Sequence, residues 1–183
     1  MSTFSRSLTA TAAGLVLFGL AACSGGGKNT GGGEETTSSS PTSAASGSGL
    51  AGFDPCTFFT PDELTSFGVS TKSEEFTQVS FQPGCTWNGE KLDIALQKNA
   101  DETVKSLGEG GGFDKYTPTT VAGREGAELL VAGATGQGVC NYVVSAGGGI
   151  AIYQLTGAMR DSVAEPCAEL KKIVDQTASR LPK

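Results

Sequence analysis

Five cysteines carry most of the reactive chemistry open to this chain, because it has no histidine. Without imidazole there is no Ser-His-Asp or Cys-His nucleophile system, no HExxH zinc site and no switch titrating near neutrality. Cys23 stands apart from the other four. It follows Leu20-Ala21-Ala22, with Leu at −3 and small residues at −2 and −1. That spacing suits lipid modification: small side chains fit a signal peptidase, and the Cys23 thiol takes a diacylglyceryl group bearing palmitate-class chains. The competing reading is an ordinary secretory signal that happens to end near a cysteine.

Cys56, Cys85, Cys140 and Cys167 form an even set, with no CxxC pair among them. In an exported chain they read as two disulfides rather than as free thiols or a metal site. Three pairings are open. Sequential pairing, Cys56–Cys85 with Cys140–Cys167, needs only local up-and-down topology and is favoured. Nested pairing, Cys56–Cys167 with Cys85–Cys140, would sew the two end helices together and staple two strands.

Other candidate chemistry has a structural reading beside it. Cys85 with Trp87, and Cys140 with Tyr142, each share one strand face. They suggest either an aromatic-lined pocket or disulfide halves beside core aromatics, and burial is the normal fate of such rings. The stretches GEGGG at 108–112 and GATGQG at 133–138 invite a phosphate-loop reading. Neither ends in Gly-Lys-Ser/Thr, so flexible turns are expected. The carboxylate pairs Asp62/Glu63, Glu74/Glu75 and Asp101/Glu102 are neighbours in sequence. Neighbours do not face each other on a helix, and two of these pairs sit at expected helix starts, where the dipole favours acid. No GxSxG elbow and no DxDxDG calcium loop occurs. We therefore expect no catalytic residue, no cofactor-binding residue, no metal ligand and no enzyme activity.

The elements that position these residues begin after two leader segments. Residues 1–22 read as a lipoprotein signal peptide: Arg6 in the n-region, then an uncharged apolar run that is short for a membrane span. Residues 23–49 read as the lipidated cysteine and a disordered Gly/Ser/Thr tether without aromatic residues, Leu, Ile or Val. A flexible coil of that length reaches roughly 28 Å. Because one acyl chain holds a protein only marginally, the two of a diacylglyceryl group are what anchor it. Residues 50–183 hold the Trp, all Tyr and most Phe, and read as one domain.

Inside that domain, Asp54-Pro55-Cys56 and Thr60-Pro61-Asp62-Glu63 open helices, and Thr60 with Glu63 fits a capping box. Strands are predicted at Phe76–Phe81, Cys85–Asn88 and Leu92–Gln97. A short helix capped by Asn99 and Glu102 carries Val104 and Leu107. Strands resume at Thr119–Val121, Gly126–Val131, Val139–Ser145 and Ile150–Leu155. A last helix opens at Glu165-Pro166-Cys167, with Leu170, Ile173, Val174 and Ala178 at helical spacing. The class is α+β: an antiparallel sheet of about five to seven strands, helices packed on one face, disulfide-stapled.

The order Asp-Pro-Cys at 54–56, Thr-Pro-Asp-Glu-Leu at 60–64, Gly-Cys-Thr-Trp at 84–87, Gly123 with Ala127, Cys-Asn-Tyr-Val-Val at 140–144, Glu-Pro-Cys at 165–167 and Leu181-Pro182 resembles one family. It is similar to the actinobacterial lipoproteins with Domain of Unknown Function 3558. The resemblance covers residues 50–183 together with the lipobox and tether. Glu165 departs from the more usual Asp and keeps the capping charge. The resemblance implies an exported, membrane-anchored protein and no particular activity.

The expected function is thus a non-catalytic binding module on the extracytoplasmic face of the cell membrane. It would be held there by the lipid on Cys23 and would take an unknown envelope protein or small ligand. The alternatives are an accessory or structural lipoprotein of a sensor or transporter complex and, further off, a histidine-free hydrolase. A formal charge of −6 argues against a nucleic-acid partner.

Overall fold

The structure, a computed structural model, describes residues 49–183. Cys23, the signal segment and nearly all of the tether lie outside the described residues.

Seven strands form one antiparallel sheet in the order β1-β2-β3-β7-β6-β5-β4. They are β1 (Glu74–Phe76), β2 (Gly84–Trp87), β3 (Leu92–Asn99), β4 (Phe113–Val121), β5 (Arg124–Val131), β6 (Val139–Ala146) and β7 (Gly149–Gly157). Three α-helices accompany them: α1 (Pro61–Ser66), α2 (Val104–Gly110) and α3 (Pro166–Thr177). The class is the α+β expected.

Alternation along the strands sorts side chains onto two faces. One face carries Cys85, Trp87, Ile94, Leu96, Tyr153 and Leu155, and packs against Leu64 of α1 and Leu170, Ile173 and Val174 of α3. The other carries Ala127, Leu129, Val143, Ile150 and Ile152, and packs against Val104 of α2. Helices therefore cover both faces, which corrects the expectation of one. The reason is the strand order. β3 lies in the middle of the sheet and β4 at its far edge, so the chain between them must cross β7, β6 and β5. It does so over the face that α1 and α3 leave free, and α2 is that crossing.

Local chemistry explains the helix ends. Thr60 Oγ1 accepts from the Glu63 amide at 3.3 Å, and Glu63 Oε2 accepts from the Thr60 amide at 2.9 Å, the reciprocal cap expected for α1. For α2 the cap differs from expectation. Thr103 and Ser106 make the reciprocal pair, whereas Asn99 turns its Oδ1 to the Asp101 amide. At α3 the Glu165 side chain makes no cap hydrogen bond, so the longer side chain does not take over capping from the usual Asp. The Asp54-Pro55-Cys56 segment is a single 3-10 turn rather than an α-helix, with Asp54 Oδ1 accepting from the Cys56 amide at 2.9 Å.

Two strands differ in extent. Of the strand expected at Phe76–Phe81 only Phe76 lies in β1, which runs Glu74–Phe76; the residues after it are not strand, and the Gln82 amide closes a turn by donating to Val79 O. β4 starts six residues earlier than expected, at Phe113. It hides from pattern reading because it is the sheet edge, and few of its residues are buried. The two-residue turn Ala122-Gly123, both at positive φ, makes Val121 and Arg124 the closing pair of the β4–β5 hairpin. By alternation Pro118 falls at a non-hydrogen-bonded position, its missing N–H facing outward from the edge.

Candidate functional site

The site begins with the N-terminal strap. The Leu50 amide donates to Gly147 O at 3.0 Å, and the Leu50 side chain is fully buried. The strap then crosses the α1/α3 face of the sheet and is bonded to it through Cys56–Cys85. Under it stands Lys98 of β3, on the same face as Ile94 and Leu96. Its ammonium donates to Leu50 O at 3.3 Å, Ala51 O at 3.2 Å and Phe53 O at 2.5 Å. All three N–H groups of the lysine are thereby used, and the strap is folded around a cation. Lys98 was not singled out in the sequence. The signal was present: a lysine on the apolar face of an otherwise buried strand needs polar partners.

Between the strap and strands β1 to β3 lies an open cleft of about 530 Å³. Its apolar wall is Phe53, Pro55, Pro83 and the Cys56–Cys85 disulfide, and its carboxylates are Asp54 and Glu75. Neither carboxylate has an ion-pair partner among the described residues. Gly84 is required here, because a Cβ on it would stand 2.1 Å from Leu96 O. A smaller cleft of about 220 Å³ separates α1 from α3, with Phe67 and Ile173 among its lining residues.

The disulfides are Cys56–Cys85 and Cys140–Cys167, the sequential set, each with Cα atoms 5.1 Å apart. Trp87 is 1 % exposed and meets Phe59 edge-on at 5.1 Å. Tyr142 is equally enclosed, its hydroxyl donating to Glu128 Oε2 at 2.6 Å. Both aromatics are core.

Four of the six amides of the GATGQG loop, those of Gly133, Ala134, Thr135 and Gln137, are taken within the fold. Asp114 Oδ2 accepts from the Gly133 amide at 3.1 Å, the Thr135 amide at 3.2 Å and the Thr135 hydroxyl at 2.8 Å. A carboxylate of the chain itself thus occupies the place where a phosphate loop would hold its ligand. The Thr135 hydroxyl bond, then the two amides, hold the Asp114 carboxyl below its usual range.

None of the three neighbouring carboxylate pairs converges. Glu63 accepts both Arg180 guanidinium donors at 2.9 Å, and that guanidinium also lies over the Phe58 ring. Glu74 and Glu75 point to opposite faces of β1. Glu102 accepts from the Ser106 hydroxyl. Burial pushes the Glu63 and Glu128 carboxyls up. The bonds from Arg180 and Thr60 to Glu63, and from Lys115 and Tyr142 to Glu128, outweigh it and leave both below the ordinary carboxylate range. Burial, then the Glu128 carboxylate, raises the Tyr142 phenol; burial raises Tyr153. Each of these shifted groups is hydrogen-bonded within the fold.

One buried polar atom, Asn141 Nδ2, has no hydrogen-bond partner among the described residues. No cluster of three or more His, Cys, Asp or Glu side chains is placed to hold a metal ion among the described residues. No helix among them is long and apolar enough to cross a membrane.

The family described as "Protein of unknown function (DUF3558)" matches residues 18–180. No curated protein and no solved structure matches the chain. The chain belongs to the DUF3558 family.

Proposed function

We propose that this DUF3558 member is a lipid-anchored extracytoplasmic protein that works by non-covalent binding, with the strap cleft as its contact surface. The anchor rests on the Leu-Ala-Ala-Cys ending of the apolar run at residues 20–23 and the Gly/Ser/Thr-rich stretch after it. The observation that carries the binding reading is the cleft itself. It sets an apolar wall of Phe53, Pro55 and Pro83 beside two carboxylates that nothing in the described fold pairs. The strongly shifted groups elsewhere are bonded internally, so they serve the fold.

A tethered domain meets its partners at raised effective concentration, so a modest, open contact surface is sufficient. The test has two arms. A photoreactive amino acid at Phe53, in the full chain made in its own cells, should give a discrete adduct. The same group at Thr120, on the edge strand, should give none. Equal yields at both positions, or none at either, would refute the cleft as the contact surface. Separately, Cys23→Ala should leave the chain unprocessed or released from membranes; a Cys23→Ala chain still acylated would overturn the anchor.

A further inference from the structure

We infer that the strap cleft takes a basic peptide segment of a partner protein, a Lys or Arg side chain with apolar neighbours, in extended conformation. The inference rests on the binding reading above and assigns the chemistry of the occupant. Three observations carry it.

The first is charge. Asp54 and Glu75 line the cleft, and no Lys or Arg of the described residues pairs with either. The one cation in the lining, Lys98, has its three donors on Leu50, Ala51 and Phe53 carbonyls. An anionic ligand would find that ammonium sheathed and would face two carboxylates. A cation finds two acceptors with free lone pairs, since Asp54 commits Oδ1 to the Cys56 amide and keeps Oδ2.

The second is surface type. Phe53, Pro55, Pro83 and the disulfide give the stem of a lysine or arginine, or the ring of a neighbouring residue, an apolar wall to lie on. Phe81, two residues before Pro83, is 64 % exposed in the same turn segment.

The third is shape. The floor runs over Glu75 of β1, Cys85 of β2 and Lys98 of β3, all on one face. Two strand spacings are about 10 Å, the length of roughly three extended residues. A small-molecule site encloses most of its ligand; this cleft is open along the strap and suits a chain passing through.

The test uses the full chain in detergent and three fluorescein-labelled pentapeptides, ARFKP, AQFQP and AEFEP, read by anisotropy. ARFKP should bind at least five-fold more tightly than AEFEP, and added salt should weaken it. Glu75→Gln and Asp54→Asn should each raise its Kd about two- to five-fold, the range of one partly exposed ion pair. Asn keeps the cap at position 54, and unchanged thermal unfolding would show that both variants fold. Equal binding of all three peptides, no binding of ARFKP, or no effect of Glu75→Gln would overturn the inference. So would saturable binding of phenethylamine without peptide binding, which would make the occupant a small amine. If the Phe53 adduct forms in cells while ARFKP shows no preference, the binding reading stands and the cationic occupant falls.

Discussion

Deleting the two disulfides one at a time separates chain entropy from packing. The bridged residues are 29 apart in Cys56–Cys85 and 27 apart in Cys140–Cys167. The loop-closure relation gives about 12 cal/mol/K for either loop, or roughly 3.6 kcal/mol at 25 °C. Chain entropy therefore predicts equal losses, and any difference reports the surroundings. Cys85 adjoins the open cleft, where water can replace a missing sulfur. Cys140 is fully buried among Tyr142, Val144, Leu155 and Leu170, where it cannot. Cys140→Ala with Cys167→Ala should thus cost about 1 kcal/mol more than Cys56→Ala with Cys85→Ala, through the cavity. Urea unfolding followed by Trp87 fluorescence is the assay, since Trp87 is the lone tryptophan and fully buried. Both m-values should rise as the unfolded chain expands. Equal losses, or a larger loss for the Cys56–Cys85 deletion, would refute the packing argument.

Stability should be level between about pH 5 and 9, because no histidine is present and the domain cysteines are bonded. Below that range it should fall: Glu63, Glu128 and Asp114 are depressed below 4.5, 4.5 and 3.8 in the folded state, so their contribution is present above those values and lost as pH drops through the folded ones. Tyr142 and Tyr153 are raised above 10, so a second loss should begin as pH climbs past about 10; urea midpoints across pH check both limbs. Asn141→Leu should be neutral or stabilising by up to about 1 kcal/mol, since it removes a buried donor without a partner, while Asn141→Asp should cost at least ~2 kcal/mol in the same titration. Gly108→Ala should destabilise by about 1–2 kcal/mol despite better helix propensity. Its Cβ would stand 2.7 Å from the Tyr116 ring, whose hydroxyl donates to Val104 O, and thermal unfolding reads the result.

Residues with strong local chemistry were legible in the sequence. Thr60, Pro61 and Glu63 announce α1 because the cap is made within four residues. The cysteines pair as the topology argument favoured because each bridge closes over a short up-and-down stretch. What escaped was non-local. The side of the sheet that α2 covers depends on β3 lying beside β7, a pairing that no periodicity records. β4 was cut short because an edge strand buries too little to show an alternating pattern. The Asn99–Glu102 cap lost to Thr103–Ser106 because both pairs satisfy the same spacing and only the strand end at Asn99 decides between them. The cleft was invisible for a similar reason: Lys98 and residues 50–53 are far apart in the chain and meet only when the strap crosses the sheet. Its lysine is nonetheless an anomaly in β3, a cation on the strand face that carries Ile94 and Leu96.

The Cys56–Cys85 bond also fixes how the domain takes a mechanical load. Tension arriving along the backbone from the N-terminal side would first meet the Leu50 amide bond to Gly147 and the three carbonyl bonds of Lys98. These can be peeled one after another, like a zip. At Cys56 the peeling stops, because the force passes through a covalent bond into β2, inside the edge of the sheet. Residues 57–84 are bypassed and carry none of it. Pulling would thus free the few residues before Cys56 and open the cleft wall while leaving the sheet whole, a fuse with a fixed stop.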